Sequence, residues 1–170
     1  MRERTKITVT LKKKELLYDI DNIAYITGDI LGDADTTPKY RSDIQSTREP
    51  WGKSIIIRAL DRAFYHLRAK LTAYTKSDTR EDMDVTDDPK DLENYVLTLY
   101  VPQEVSESNI DGVACAAHNY LVYSALCDWF EKLKKDERDL YLFKLKEEMD
   151  LIKHYLTLRT KPMRLRQSPF

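Results

Sequence analysis

The chain has 170 residues, of which 42% are hydrophobic and 34% charged, and its formal net charge is −1 at pH 7. A chain of this length and composition is expected to fold as one domain with a real core, and it is too apolar to be disordered. The near-zero net charge argues against nucleic-acid binding driven by the overall charge of the protein. The amino terminus lacks the apolar run of a signal peptide, and no segment approaches the ~20 apolar residues of a membrane span. We therefore expect a cytoplasmic protein without membrane contact.

The amino-terminal segment is predicted to form a strand followed by a helix. Residues 6–11 (KITVTL) alternate and are rich in β-branched side chains, which is typical of a short strand. From about Lys13 the apolar residues recur at helical spacing. The buried face that this spacing predicts comprises Leu16, Leu17, Ile20, Ile23, Ala24, Tyr25, Ile30 and Leu31. Gly28 and Gly32 weaken the helix, and residues 32–38 are expected to form a loop.

A second helical region begins at about Tyr40 and is interrupted by Pro50. Its strongest part covers residues 51–74, where one apolar stripe runs along the predicted helix. The stripe consists of Ile55, Ile56, Leu60, Ala63, Phe64, Leu67 and Leu71. Most of the charged side chains of this helix lie off the stripe, so we expect a firm helix against the core.

The polar stretch 77–93 carries eight acidic and two basic residues, which predicts a mobile acidic loop. It lacks the central glycine of a calcium-binding loop, so we expect no metal there. Residues 95–101 form the second predicted strand, which ends at Pro102. Because both strands are short, we expect them to pair as a small ribbon against helices.

The carboxy-terminal half predicts two long helices joined by a tight turn. Ser106 is a suitable N-cap for a helix that runs to about Leu133, and Asp136 is a suitable cap for the next one. The first helix is expected to bury Ile110, Val113, Ala114, Ala117, Tyr120, Leu121, Ser124, Ala125 and Phe130. The second is expected to bury Leu140, Phe143 (or Leu142), Met149, Ile152, Tyr155 and Leu156. Two amphipathic helices with a short connection predict an antiparallel hairpin.

After Thr160 the chain changes character, because Pro162 ends the helical pattern and no acidic residue follows Asp150. The basic residues of this end are Lys153, Arg159, Lys161, Arg164 and Arg166. Such a tail can be merely solvated, can contact nucleic-acid phosphates, or can dock as an extended peptide on a partner. The alternation Met163-Arg164-Leu165-Arg166, with Phe170 as an apolar anchor, favours the extended peptide.

No catalytic or metal constellation emerges from the sequence. His66, His118 and His154 fall on different predicted helices without a second ligand at helical spacing. Neither a glycine-rich phosphate loop nor a nucleophile elbow is present. Cys115 and Cys127 are expected to be reduced core thiols. We therefore predict a protein that is not an enzyme and has no cofactor.

Two further features are open to more than one interpretation. Asp128 could belong to a pocket, but we expect it to pair with an arginine of the 51–74 helix. The eleven tyrosines suit either protein interfaces or the margin of a small core.

The fold class predicted from these elements is mainly α. We expect a helical bundle with a long carboxy-terminal helical hairpin and a small β ribbon, all in one domain over residues 1–160 that includes the acidic loop. Residues 161–170 are expected to form an extended basic tail.

Four segments of the chain resemble small virion proteins of Bacteroides-type phages and prophages. They are KITVTLKKKELLYDIDNIAY at 6–25, YVLTLYVPQEVSES at 95–108, HNYLVYSALCDW at 118–129, and the arginine-rich end before Ser168-Pro169-Phe170. More broadly, a helical hairpin with an arginine-rich extended end resembles phage head-to-tail connector, or adaptor, proteins.

The resemblance implies a structural protein of the virion neck, assembled in the bacterial cytoplasm. Connector proteins form rings, commonly dodecameric, that dock on the portal protein and meet tail proteins, while DNA passes through the channel without sequence-specific contact. On this resemblance the portal contact would be made by Arg159, Lys161, Met163, Arg164, Arg166 and Phe170.

Other functions stay open at this point. A tail-completion or tail-terminator protein fits nearly as well as a connector. A nucleic-acid-binding regulator would need a basic recognition helix, for which only residues 53–70 qualify, and Asp61 interrupts their positive charge. A small helical hydrolase has no supporting group of residues.

Overall fold

The computed structural model describes residues 4–32, 38–75, 93–102 and 105–157. The elements, in chain order, are β1 (Arg4–Lys12), α1 (Lys13–Gly32), α2 (Pro38–Gln45), a 3-10 turn (Ser46–Arg48), α3 (Pro50–Lys70), α4 (Thr72–Thr75), β2 (Asn94–Pro102), α5 (Glu107–Phe130) and α6 (Lys135–Thr157). The fold is mainly α, as the sequence predicts. The acidic stretch, apart from Glu93, and the predicted tail lie outside the described residues.

The two strands pair as an antiparallel ribbon in one continuous register, from Arg4 opposite Pro102 to Lys12 opposite Asn94. This confirms the predicted pairing, and each strand extends one or two residues beyond the predicted limits. Alternate side chains point to opposite faces of a strand, so the apolar residues of one face reach the core. On β2 this buried face consists of Tyr95, Leu97, Leu99 and Val101.

α5 is the central helix of the bundle. Its buried residues occur all around its circumference, in contrast to the single face that the sequence predicted. α1, α3, α6 and β1 all pack against it. This arrangement explains the small residues of α5, because Ala116, Ala117 and Ala125 let neighbouring helices approach closely.

α5 and α6 form the predicted antiparallel hairpin. Phe130, at the end of α5, stacks on Tyr141 near the start of α6, with ring centroids 5.7 Å apart. At the other end, a Cβ on Gly112 would lie 2.8 Å from the Tyr155 ring, so the glycine makes room for that tyrosine. The turn between the helices begins at Glu131, slightly earlier than predicted.

The predicted helix caps need correction. Ser106 occupies the N-cap of α5, but its hydroxyl lies 3.0 Å from that of Ser108 and makes no capping hydrogen bond. Asp136 lies inside the first turn of α6 and does not precede it. An acidic residue there still interacts favourably with the helix dipole.

Pro50 begins α3, where its missing N–H costs nothing, because the first N–H groups of a helix have no partner within the helix. The preceding 3-10 turn packs against Gly52 so closely that a Cβ there would collide with the Ser46 carbonyl oxygen. The indole N–H of Trp129 donates to the Ile44 carbonyl at 3.1 Å and ties α5 to α2. α3 ends at Lys70, and α4 continues the predicted region after a turn at Leu71.

α1 continues through Gly28 to Gly32, beyond the predicted weak point. Gly28 is buried against α2, where a Cβ would lie 2.6 Å from the Gln45 side chain. The glycine therefore serves the packing of α1 on α2 and does not end the helix.

Several residues predicted to be buried face outward. They are Tyr25 and Ile30 on α1, Ile55 on α3, Leu140 and Phe143 on α6, and Cys115 on α5. The periodicity is correct in each helix, but α1 and α6 carry more apolar residues than one neighbouring helix can cover. Tyr141, which the sequence left unassigned, is buried on α6 near Leu140 and Phe143.

Candidate interaction surface

The helices run in alternating directions, so the bundle has two distinct ends. At the ribbon end, the Tyr95 ring lies 5.0 Å from that of Phe64, in the second half of α3. At the opposite end, which we call the far end, Trp51 of α3 lies 5.8 Å from Trp129 of α5. α1 and α5 thus run from the ribbon end to the far end, and α3 and α6 run back.

The outward face of α1 is aromatic and aliphatic. Tyr18 is 66% exposed, and Tyr25 and Ile26 are about half exposed. Ile30, one turn beyond Ile26, is 67% exposed. Tyr18 and Tyr25 are seven residues apart and therefore lie on the same side of the helix. From Glu15 to the end of α1 the helix contains four acidic residues and no basic one.

The outward face of α3 combines apolar and basic side chains. Trp51, Ile55, Arg58, Arg62 and Tyr65 follow one another at spacings of four, three, four and three residues, and all are exposed. Such a spacing keeps all five on one side of the helix. α3 contains five basic residues and a single acid, Asp61.

α6 has the third outward apolar face. Leu140, Phe143 and Leu151 are exposed on it, and Phe143 is 60% exposed. Burial raises the pKa of the Tyr141 hydroxyl, and Thr27 of α1 is close enough to oppose that rise, so α1 and α6 approach each other near the far end. Ile26, Ile30, Leu140 and Phe143 all lie within three residues of this contact along their helices.

Polar pairs fix the positions of α1 and α3 on the central helix. His118 Nε2 lies 2.8 Å from Asp19 Oδ2, which connects α5 to α1. Arg62 Nη1 lies 3.0 Å from Asp128 Oδ2, which connects α5 to α3 and confirms the predicted pair. The Tyr95 hydroxyl donates to Asp61 at 2.6 Å and ties the ribbon to the inner side of α3.

The shifted pKa values of these groups have structural causes. Burial raises the pKa of Asp128, and the Arg62 guanidinium opposes that rise. Burial and then the hydrogen bond to Asp61 raise the pKa of Tyr95 well above its ordinary range. Burial raises the pKa of Cys127 to about 11, so its thiol stays protonated at neutral pH.

These groups do not converge on a catalytic site. Among residues 4–32, 38–75, 93–102 and 105–157, no three His, Cys, Asp or Glu side chains are close enough to hold a metal ion. An open depression of about 290 Å³ lies between α2 and the start of α3, lined by Arg41, Ser42, Gln45, Ser46 and Glu49. Its lining holds no buried nucleophile or acid–base pair. His66 and His154 are exposed.

The sequence-predicted site residues Arg159, Lys161, Met163, Arg164, Arg166 and Phe170 lie outside the described residues. α6, which precedes them in the chain, ends at Thr157, close to Tyr155, which packs against Gly112 at the start of α5. The last described residues therefore lie at the ribbon end.

The sequence prediction missed the outward faces of α1 and α3. The available signal was a second set of apolar positions on each helix, at Tyr18 and Ile26 and at Trp51 and Tyr65, beside the stripe assigned to the core. A helix that is apolar on more than one side has more than one partner or is fully buried.

No protein family, curated protein or solved structure matches this chain. Within the part of the chain that the structure describes, no helix is both long and apolar enough to cross a membrane.

Proposed function

We propose that this protein is a structural component of a phage virion neck, a head-to-tail connector that assembles as a ring on the portal. In this proposal it is not an enzyme and needs no cofactor. Its ring would sit between the portal and the tail proteins and let DNA pass through its channel.

One observation carries the proposal: large apolar side chains are aligned on the outward faces of three helices. Within the described part of the chain ten such side chains are exposed, and they are Tyr18, Tyr25, Ile26, Ile30, Trp51, Ile55, Tyr65, Leu140, Phe143 and Leu151. Single exposed apolar residues are normal, but aligned sets mark surfaces that bind other proteins. Tyr and Trp are also enriched among the residues that dominate binding energy at interfaces.

The position of the end of α6 supports a bridging role. A connector must hold one partner on each side, so its binding regions must be separate. α6, which precedes Arg164, Arg166 and Phe170 in the chain, ends at the ribbon end, whereas six of the exposed apolar residues lie towards the far end. These six are Ile26, Ile30, Trp51, Ile55, Leu140 and Phe143. In the proposal, the ribbon end faces the portal.

The direct test is binding to portal rings from the same genome. Full-length protein is compared with a protein that ends at Thr160, and we expect the shorter one to bind at least about tenfold more weakly. The double variant Arg164→Ser with Arg166→Ser should also bind the portal more weakly than the full-length protein does. The matched control is Lys132→Ser with Lys146→Ser, which removes two exposed charges elsewhere and should bind like the full-length protein.

The outcomes separate the alternatives. If full-length and shortened proteins bind equally, the connector stands and the tail mechanism fails. If neither binds, the connector proposal fails, and binding to tail-tube protein then tests the tail-completion alternative.

A further inference from the structure

The outward faces of α1 and α3 have opposite charge and matching apolar content. α1 presents Tyr18, Tyr25 and Ile26 among acidic residues, and α3 presents Trp51, Ile55 and Tyr65 around Arg58 and Arg62. The α3 set follows the alternating three- and four-residue spacing of helices that pair along their length, and Tyr18 and Tyr25 of α1 are one seven-residue repeat apart. A helix carrying one set is therefore a suitable partner for a helix carrying the other.

Local pairs reduce the charge on each face without removing it. On α1, Glu15 pairs with Lys12, Asp21 with Arg48 and Asp29 with Arg41, and Asp19 is held by His118. Each pair has at least one exposed partner, so water and salt screen it and it contributes little.

On the α3 face, Arg62 forms an ion pair with Asp128. Arg58 instead donates a hydrogen bond from Nη2 to the neutral Ser54 hydroxyl, at 3.0 Å. A guanidinium in that position can stack on a tyrosine ring or pair with a carboxylate of an arriving helix.

α1 and α3 contact different sides of α5. Asp19 of α1 binds His118, whereas Lys70 and Arg62 of α3 reach Tyr120 and Asp128. At about 100° per residue, the directions of Tyr120 and Asp128 differ from that of His118 by roughly 160° and roughly 80°. One copy therefore presents its acidic–apolar face and its basic–apolar face in different directions.

We propose that the α1 face of one copy docks on the α3 face of the next copy. Because the two faces differ, the contact is heterologous, and its repetition produces a ring or an open chain of copies. Tyr18 and Tyr25 would meet Arg58 and the apolar residues beside it. The inference rests on the proposed function, because a connector ring needs contacts between its copies, and the docking of α1 on α3 would supply those contacts.

The test uses two full-length variants, each with one damaged face. Tyr25→Ser with Ile26→Ser damages the α1 face, and Ile55→Ser with Arg58→Ser damages the α3 face. All four side chains are exposed, so both variants should keep the wild-type helical content and melting temperature. Wild-type protein is expected to associate with increasing concentration in sedimentation velocity, and each variant alone to associate at least about tenfold more weakly.

Mixing the two variants decides the geometry. Each variant keeps the face that the other lacks, so an equal mixture should form dimers and stop there. The matched control is Leu140→Ser with Phe143→Ser on α6, which removes an equally exposed apolar pair and should associate like wild type.

The proposal is overturned if wild-type protein stays monomeric up to roughly 1 mM, or if the α1 and α3 variants associate like wild type. It is also overturned if the mixture of the two variants forms no dimer, or if the α6 variant alone loses self-association. Portal binding without self-association would remove this inference and leave the connector. Self-association without portal binding would remove the connector and leave the interface.

Discussion

Tyr95 connects the ribbon to the helical core through one hydrogen bond and one aromatic contact. Its side chain is fully buried, its hydroxyl donates to Asp61, and its ring lies against Phe64. Tyr95→Phe keeps the ring and removes the donor. A hydrogen bond to a charged group contributes about 1.5–3 kcal/mol, so we expect the free energy of unfolding in urea to fall by about that amount.

The same residue should affect the pH dependence of stability. The folded-state pKa of Tyr95 is raised by burial, so its contribution is complete below the pKa of an unfolded tyrosine, about 10, and is lost as the pH rises above it. The difference in stability between wild type and Tyr95→Phe should therefore narrow above about pH 10. Tyr100→Phe, on the outward face of the ribbon, is the control and should cost less than about 0.5 kcal/mol. Equal losses for the two variants would contradict this account of the ribbon contact.

At the scale of elements, the start of α3 depends on a close backbone approach. Gly52→Ala would force its Cβ against the backbone carbonyl of Ser46, and backbone cannot rotate away as a side chain can. We expect a loss of about 2–4 kcal/mol in urea unfolding, at the upper end of single-residue effects.

Gly28→Ala is the comparison variant for Gly52→Ala, because the added methyl group meets the Gln45 side chain, whose Cγ would lie 2.6 Å away, where Gly52→Ala meets backbone. Moving that side chain disturbs its hydrogen bond to the Tyr25 carbonyl, but alanine favours the helix by about 1 kcal/mol over glycine, so the loss should be smaller than that of Gly52→Ala. A Gly52→Ala variant as stable as Gly28→Ala would show that the 3-10 turn does not clamp α3.

The elements themselves were predictable because their period is a local property. The alternation at 6–11 and 95–101 identified both strands, and the short turn predicted after Leu133 identified the hairpin. The buried faces were less predictable. α1 and α6 are apolar on two sides, and which side meets the core depends on where α5 lies, which no local pattern states. Leu140 and Phe143 were therefore assigned inward, although Tyr141 is the residue that stacks on Phe130.

The candidate site was harder to predict than the fold. The sequence directed attention to Arg164, Arg166 and Phe170, which lie outside the described residues. The outward faces of α1 and α3 only become recognisable once the core positions are known, because an interface stripe and a core stripe have the same composition and spacing. The Arg62–Asp128 pair was predictable, since a charged residue on a largely apolar helix needs a nearby opposite charge.

At the scale of the whole molecule, the proposal depends on a division of surfaces. α6 ends at the ribbon end, and α1 and α3 contact different sides of α5. In the proposal, the α1 and α3 faces contact neighbouring copies and the carboxy-terminal segment contacts the portal, so the subunit can repeat around a ring. Many modest contacts then add up to a stable assembly without any single large apolar patch.

The most direct test of the central claim is the mass of the complex that forms when an excess of this protein is added to purified portal rings, measured by native mass spectrometry. The account predicts a saturating complex that carries several copies of the protein on each portal ring, with few partly filled rings. A portal ring that binds no copy, or only one, would contradict the claim that the protein assembles as a connector.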